Sequence, residues 1–263
     1  MNKKNIIGII LLPFAVTWYF TSCSVKEDRS ACPCMLMLDL NGVSTVDMHS
    51  TDINITSPVG FEFGTSIPAS LYGEVYAVPV PRTGVYLDAS YGSDGCFCPG
   101  KGFVIAAGRS FPPLYLYSSY VNTAFETVTE RVLMHKEHCN INIKMKAAEV
   151  PYPFSVLVEG DICGVGIDGI PVEGPFSFAP EIRGDGSCSV RVPRQTSSSL
   201  ILEIADENGV LRSFSIGEYI IESGYDWTAE NLEDVDIVID YAKTEIAFSV
   251  NGWEKTVHFD VEI

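Results

Sequence analysis

The residue with the clearest predicted chemistry is Cys23, which follows a short basic start and an apolar run. Residues 6–20 carry no charge and are too few to span a bilayer comfortably, which is typical of the hydrophobic part of a signal peptide. Ser22 is small, as a lipoprotein cleavage site requires, although Phe20 stands where leucine is usual. We therefore predict cleavage after Ser22 and covalent attachment of lipid, with palmitate-type acyl chains, to the Cys23 thiol. A retained membrane anchor and ordinary secretion are the alternatives.

Seven further cysteines are available for disulfides, the usual state of cysteine in an exported protein. Cys32-Pro33-Cys34 and Cys96-Phe97-Cys98 each have one residue between the thiols, which is tight for a zinc knuckle. We expect these two pairs to bridge each other and Cys163 to bridge Cys188, which leaves Cys139 single; seven cysteines allow many other connectivities. The cysteines predicted to form disulfides are Cys32, Cys34, Cys96, Cys98, Cys163 and Cys188.

The segment His135-Lys136-Glu137-His138-Cys139 carries residue types that bind metals. In an extended strand His135, Glu137 and Cys139 share one face, while His138 points away. No second group of ligands is identifiable, so surface residues beside a disulfide cysteine are the favoured interpretation, and no metal site is predicted.

An enzymatic site is not predicted. The chain has four histidines, and it lacks a G-x-S-x-G nucleophile elbow, a P-loop and a G-x-G-x-x-G dinucleotide fingerprint. Tyr115 and Tyr117 fall on one face of a predicted strand, where aromatic rings could form a platform for a sugar. Half-buried strand residues are the more common explanation of such tyrosines. No cofactor is expected besides the lipid on Cys23.

The charge balance is acidic, with 17 Lys and Arg against 34 Asp and Glu and a formal net charge of −17. Such a surface repels nucleic acid, which is therefore not a predicted partner. Residues 24–31 are polar and without periodicity, which indicates a tether. Within it, Lys26, Glu27 and Asp28 resemble the signals that send some lipoproteins to the outer face of the outer membrane; a solvated linker is the alternative.

From residue 35 onward the sequence alternates with the period of β-strands. The clearest case is Ile141-Asn142-Ile143-Lys144-Met145, in which the apolar residues share one face. Asn251-Gly252 between two alternating runs predicts a hairpin with a type I′ turn. Residues 217–232 lack alternation, and an i, i+3, i+4 apolar pattern from Ile216 predicts one or two helical turns. Short strands separated by turn residues predict antiparallel β-sandwiches.

A break in the alternation at 147–153, which contains two prolines, predicts a boundary between two sandwiches. The two halves are similar in length and character, although no residue-level repeat is visible. We therefore predict an all-β protein of two tandem antiparallel β-sandwich domains, with a short helical segment in the second. The predicted divisions are a signal peptide at 1–22, a tether at 23–31, a sandwich at 32–148, a linker at 149–153 and a sandwich at 154–263.

Two stretches resemble the FimB-type fimbrial anchor subunits, which are lipoproteins of type V pili in Gram-negative Bacteroidales. The first is Cys23 followed by an acidic spacer and Cys32-Pro33; the second is 232–241 with the apolar run 246–250 and Trp253. The resemblance covers the mature chain and implies two transthyretin-like sandwiches that assemble by donor-strand exchange. It also implies an outer-membrane location, fimbrial stalk subunits of the same superfamily as partners, and a role in anchoring the fimbrium and limiting its length.

Two other functions stay open at this point. One is a surface lipoprotein that binds glycan through Tyr115 and Tyr117, and the other is a tip or accessory pilin with an adhesive role. Stalk subunits of the family are activated by cleavage after an arginine. Cleavage after Arg29 would free this protein from the membrane, so we expect that segment to stay intact.

Overall fold

The computed structural model describes residues 32–43, 50–97, 102–146, 155–205, 211–240 and 245–258. Strands dominate these residues, which include one α-helix, α1 (Ile216–Glu222), and a short 3-10 helix (Ala69–Leu71). The predicted all-β class is confirmed, and so is the helical segment, in which Ile216, Tyr219 and Ile220 are buried. The apolar spacing therefore marks the face of α1 that packs on the core.

The first sandwich consists of a three-stranded sheet A and a five-stranded sheet B. Its strands are β1 (Cys34–Asp39), β2 (Thr51–Thr56), β3 (Glu62–Ile67), β4 (Val75–Val80), β5 (Val85–Tyr91), β7 (Tyr115–Val121), β8 (Thr127–Arg131) and β9 (His135–Lys136). Sheet A has the order β4-β1-β8, and sheet B has the order β3-β2-β5-β7-β9. The core between them is apolar because alternate residues of each strand point inward, as Leu36, Leu38, Ile53 and Ile55 do.

The second sandwich consists of a sheet C and a sheet D that enclose a larger core. Its strands are β6 (Gly102–Val104), β10 (His138–Lys146), β11 (Ser155–Gly166), β12 (Pro171–Phe178), β13 (Ser187–Pro193), β14 (Ile201–Ala205), β15 (Leu211–Phe214), β16 (Val235–Asp240), β17 (Glu245–Val250) and β18 (Trp253–His258). Sheet C has the order β12-β11-β14-β15, with β6 also paired to β11, and sheet D has the order β13-β10-β16-β17-β18. Ile141, Ile143 and Met145 are buried, as their alternation predicts.

The two sandwiches repeat one topology. Strand β1 pairs antiparallel with β4 and parallel with β8, and β10 pairs antiparallel with β13 and parallel with β16. In the facing sheets, β2 lies between β3 and β5 as β11 lies between β12 and β14. The sandwiches are therefore not purely antiparallel, since each contains one parallel pair. Strands β8 and β16 are therefore equivalent in topology, although their outer sides differ.

Strand β10 lies within the range 32–148 predicted for the first sandwich, and it is paired with β13 and β16 of the second. Phe111 and Leu114 also pack in the second core. The predicted linker at 149–153 lies outside the described residues. Alternation identified β10 as a strand, but it carries no information about which strands become its neighbours.

The hairpin predicted at Asn251-Gly252 is confirmed. It joins β17 to β18, with Val250 paired to Trp253 across a two-residue turn. Both turn residues have positive φ, 45° at Asn251 and 87° at Gly252, which Asn and Gly adopt at little cost.

Candidate strand-accepting edge

Strand β8 forms one outer edge of sheet A, and its free side follows from the hydrogen bonds that it makes with β1. Met35 N donates to Glu126 O at 2.8 Å, and Val132 N donates to Asp39 O at 2.9 Å. In a parallel pair such bonds involve alternate residues, so the even-numbered residues of β8 turn their N–H and C=O groups toward β1. The residues of β8 whose backbone groups turn outward are Thr127, Thr129 and Arg131. We call this row of outward groups the β8 edge.

The opposite edge of sheet A, on β4, is interrupted by a proline. Pro79 lies opposite Met35, whose N–H is already bonded on the β8 side. The nitrogen of Pro79 therefore faces away from β1, and one donor is missing from the outer row of β4. Proline at this position is a common way of protecting an edge from pairing with another strand. The β8 edge, from Thr127 to Arg131, has no proline.

In the second sandwich, the side equivalent to the β8 edge is covered by the chain itself. Strand β17 pairs antiparallel with β16, from Ile237↔Val250 to Asp240↔Ala247. It places Phe248 and Val250 in the second core, where they are almost completely buried. In the first sandwich, no strand of the described residues takes the corresponding place beside β8.

The inward-facing side chains of β16 are more deeply buried than those of β8. Val235, Ile237 and Ile239 of β16 are fully buried, whereas Val128 and Glu130 of β8 are only half-buried. Exposed apolar side chains flank β8 directly, with Phe125 at 64% and Leu133 at 49% relative exposure. The first core is thus less enclosed along β8 than the second core is along β16, and an additional strand would bury apolar surface there.

The residues predicted for membrane attachment lie outside the described residues. This applies to the cleavage site at Ser22, to the lipid site at Cys23 and to the surface-export signal of Lys26, Glu27 and Asp28. No helix of the described residues has the length and apolar character needed to cross a membrane.

The predicted disulfides are absent from the described residues, where all six cysteines are thiols. Cys34 lies in the first core, whereas Cys96 packs against the second. Cys163 Sγ lies 3.8 Å from the carbonyl oxygens of Val172 and Glu173, against the neighbouring strand β12 rather than Cys188. The thiols are Cys32, Cys34, Cys96, Cys139, Cys163 and Cys188; Cys98 lies outside the described residues.

The tyrosines considered as a sugar platform are half-buried strand residues. Tyr117 donates a hydrogen bond to the Glu130 carboxylate. Burial is the main cause that raises the pKa of Tyr117 to about 12, and this hydrogen bond is the second. Tyr115 packs edge-on against His138, with ring centroids 5.3 Å apart. The exposed aromatic pair is instead Tyr86 and Tyr120, at 47% and 56% exposure. Sequence reasoning missed this pair because the partners are 34 positions apart and meet only through the β5–β7 register.

The His135–Cys139 segment does not gather its polar side chains at one point. Glu137 is buried and binds Arg194, with Oε2 2.7 Å from Nε. His138 Nδ1 lies 3.1 Å from Leu114 O, and burial lowers the pKa of His138 to about 4. Cys139 is in the second core, where burial raises its pKa to about 12. Among the described residues, no group of three or more His, Cys, Asp or Glu is placed to hold a metal ion.

The sequence matches no family model and no curated protein sequence. Its structure is similar to the fimbrial anchor protein Mfa2 from Porphyromonas gingivalis, with a TM-score of 0.62 over 85% of this chain and 99% of that one at 11% identity. A candidate polysaccharide-binding protein from Bacteroides thetaiotaomicron gives a TM-score of 0.65 over 86% and 98% at 12% identity. A candidate adhesin from Bacteroides ovatus gives 0.61 over 86% and 95% at 12% identity. The resemblance to fimbrial anchor subunits is thus confirmed at the level of the fold.

Proposed function

We propose that this chain, which shares its fold with a fimbrial anchor, is an outer-membrane lipoprotein that holds a fimbrium at the cell surface. One end of the link is the lipid on Cys23, and the other end is the β8 edge, which receives a strand from a fimbrial stalk subunit. The chain therefore acts as a binding protein rather than an enzyme, in keeping with the names of the proteins whose fold it shares.

The observation that carries this proposal is the difference between β8 and its equivalent β16. The chain's own β17 shows how a strand is seated at this place in the fold, antiparallel and with alternate apolar residues in the core. A donor strand beside β8 would bond to the outward groups of Thr127, Thr129 and Arg131. Such strand addition obtains its affinity from backbone hydrogen bonds and its register from alternating side chains.

The membrane end of the proposal is supported by the sequence alone. An apolar run, a small residue and Cys23 precede a polar tether that contains Lys26, Glu27 and Asp28. We propose that these three residues direct the lipoprotein to the cell surface. A subunit fixed by its N-terminus can accept a strand and cannot continue the fibre past the membrane, so the anchor also limits fibre length.

Co-purification from the outer membrane tests this function. When a C-terminally tagged protein is extracted from its native cells, we expect pilin subunits to co-purify with it in a fixed ratio. Because the donor strand is held by a whole row of backbone hydrogen bonds, the complex should survive SDS without heating and separate on boiling. Extraction of the protein without any pilin, in cells that carry fimbriae, would contradict the proposal.

A tip or accessory adhesin is the second candidate, and the likeness in fold to a candidate adhesin favours it. An adhesin of this kind would also accept a donor strand, so the two functions differ in where the protein lies on the fibre. Immunogold labelling distinguishes them. Label at the cell-proximal ends of fibres supports the anchor, and label at the distal tips supports the adhesin.

A further inference from the structure

An open surface cavity of about 420 Å³ lies beside the second core. It is formed where the end of β13 meets the loop after α1 and the turn between β11 and β12. The side chains that matter most for its chemistry are His135, Glu137, Arg194, Gln195, Trp227 and Glu230. Its size is within the range of about 300–1,000 Å³ that is usual for small-molecule sites.

A buried ion pair gives the cavity a fixed wall. Arg194 Nε lies 2.7 Å from Glu137 Oε2, and both side chains are largely buried. Arg194 Nη1 also donates to the carbonyl oxygens of Trp227 and Ala229, at 2.7 and 2.8 Å. The guanidinium therefore holds the loop after α1 against the end of β13. Its charge is balanced by Glu137, so it does not act as a free cation for an anionic ligand.

Three buried polar atoms of the lining residues have no hydrogen-bond partner among the described residues: Gln195 Oε1, Trp227 Nε1 and His135 Nδ1, the last of which lies 3.4 Å from Glu230 Oε1. Gln195 is 2% exposed; its Nε2 donates to Pro193 O at 2.7 Å, but its Oε1 accepts no hydrogen bond. Trp227 is 7% exposed, and its Nε1 donates no hydrogen bond. An unsatisfied buried polar group is costly, so a ligand that pairs with Gln195 Oε1 and Trp227 Nε1 gains affinity from them.

Gln195 Oε1 and Trp227 Nε1 require opposite chemistry from a ligand, because the first is an acceptor and the second a donor, while His135 Nδ1 can take either role. A hydroxyl group both donates and accepts, so a ligand with several hydroxyls can satisfy both. The exposed Glu230 disfavours a carboxylate or phosphate, whereas the charge of Glu137 is already balanced by Arg194. A metal cation is disfavoured because Trp227 Nε1 is a hydrogen-bond donor and cannot serve as a ligand. The cavity thus favours a neutral, hydroxyl-rich molecule.

We propose that this cavity binds one neutral sugar residue, at a site distinct from the β8 edge and from Tyr115 and Tyr117. The sugar hydroxyls bond to Gln195 Oε1 and Trp227 Nε1 after a small adjustment of the loop after α1. The hydroxyl of Thr196, which is exposed at the rim, supplies a further contact.

Titration of the full-length protein with D-glucose, D-galactose, D-mannose and N-acetyl-D-glucosamine tests this proposal. We expect at least one of them to bind with a Kd of about 1 mM or tighter by calorimetry. In ¹H–¹⁵N spectra the same sugar should shift the Trp227 indole signal, which Trp227→Phe identifies by removing it. N-acetylneuraminic acid, which is anionic, should leave that signal in place.

Variants then locate the site. Trp227→Phe keeps an aromatic ring and removes the N–H, so affinity should fall about tenfold, which corresponds to about 1.4 kcal/mol. Trp253→Phe is the matched control on β18, since Trp253 does not line the cavity, and should bind normally. Thr196→Val changes an exposed rim residue and should weaken binding about threefold without affecting folding. The proposal is wrong if no sugar binds, or if binding survives both Trp227→Phe and Thr196→Val unchanged. Fimbrial attachment should be normal in both variants.

Discussion

Replacing Thr129 with proline is expected to detach the fimbrial subunits from this protein while leaving its fold intact. The N–H of Thr129 faces outward, so Thr129→Pro removes a donor from the middle of the β8 edge without removing a bond to β1. The loss of that bond and the bulk of the ring should reduce affinity for the pilin about 10- to 100-fold, or about 1.4–2.8 kcal/mol. Co-purification with pilins, measured by quantitative immunoblotting, should fall accordingly.

The matched control is Thr129→Ala, which keeps the outward N–H and should retain pilin binding. Sheet A already tolerates a proline at an outward-facing position, Pro79 on β4, so we expect the Thr129→Pro protein to unfold at nearly the wild-type temperature. Wild-type co-purification by a normally folded Thr129→Pro protein would show that pilins do not use the β8 edge.

Replacing Cys23 with alanine is expected to remove the protein from the outer-membrane fraction and to release fimbriae into the medium. An acyl chain contributes about 0.8 kcal/mol per buried CH₂ group, and two or more chains make stable attachment. Without them the body has no anchor in the outer membrane. Radiolabelled palmitate should label the wild-type protein and not the variant, and released fibres should be longer than wild-type fibres in electron micrographs.

Cys32→Ala is the matched control for this experiment, because Cys32 is an exposed thiol only nine positions away. The variant should retain palmitate labelling, membrane fractionation and fibre length. The anchor function is contradicted if fibres of the Cys23→Ala strain stay attached to the cells at normal length. Release by both variants would indicate that the tether region, rather than the lipid, holds the fibre.

Local features of the fold could be predicted from the sequence because they depend on neighbouring residues. The alternation of Ile141, Ile143 and Met145 identifies a strand, and the spacing from Ile216 identifies the face of α1. Asn251-Gly252 specifies its own turn through its backbone preferences. Each of these signals lies within about one turn or one hairpin, where propensity and period act directly.

The candidate site could not be predicted because it depends on which strands become neighbours. Strand β8 is short and without an apolar run, and nothing in Thr127–Arg131 shows that it lies at an edge. The open outer side of β8 is recognised only by comparison with β16, whose outer side is covered by β17. The same limit applies to β10, whose alternation reveals a strand but not the sandwich to which it belongs. The cavity likewise joins segments that are far apart in sequence, such as Glu137 and Trp227.

The repeated topology also shows where the two sandwiches differ. The second sandwich provides its own strand at the critical place, and in the first sandwich the described residues leave that place open. Under the proposed function, the lipid on Cys23 would fix the chain at the membrane and this position would accept a strand from a neighbouring subunit.

Backbone amide exchange at the β8 edge tests the central claim most directly. The purified protein would be compared alone and in complex with its fimbrial stalk subunit, by NMR or mass spectrometry at residue resolution. We predict that exchange at Thr129, and at Thr127 and Arg131 beside it, slows at least about tenfold in the complex, which corresponds to about 1.4 kcal/mol of added protection. Ala77, on the opposite edge of sheet A, should exchange at the same rate in both states. Unchanged exchange at all three β8 amides, with protection at another edge, would contradict the claim.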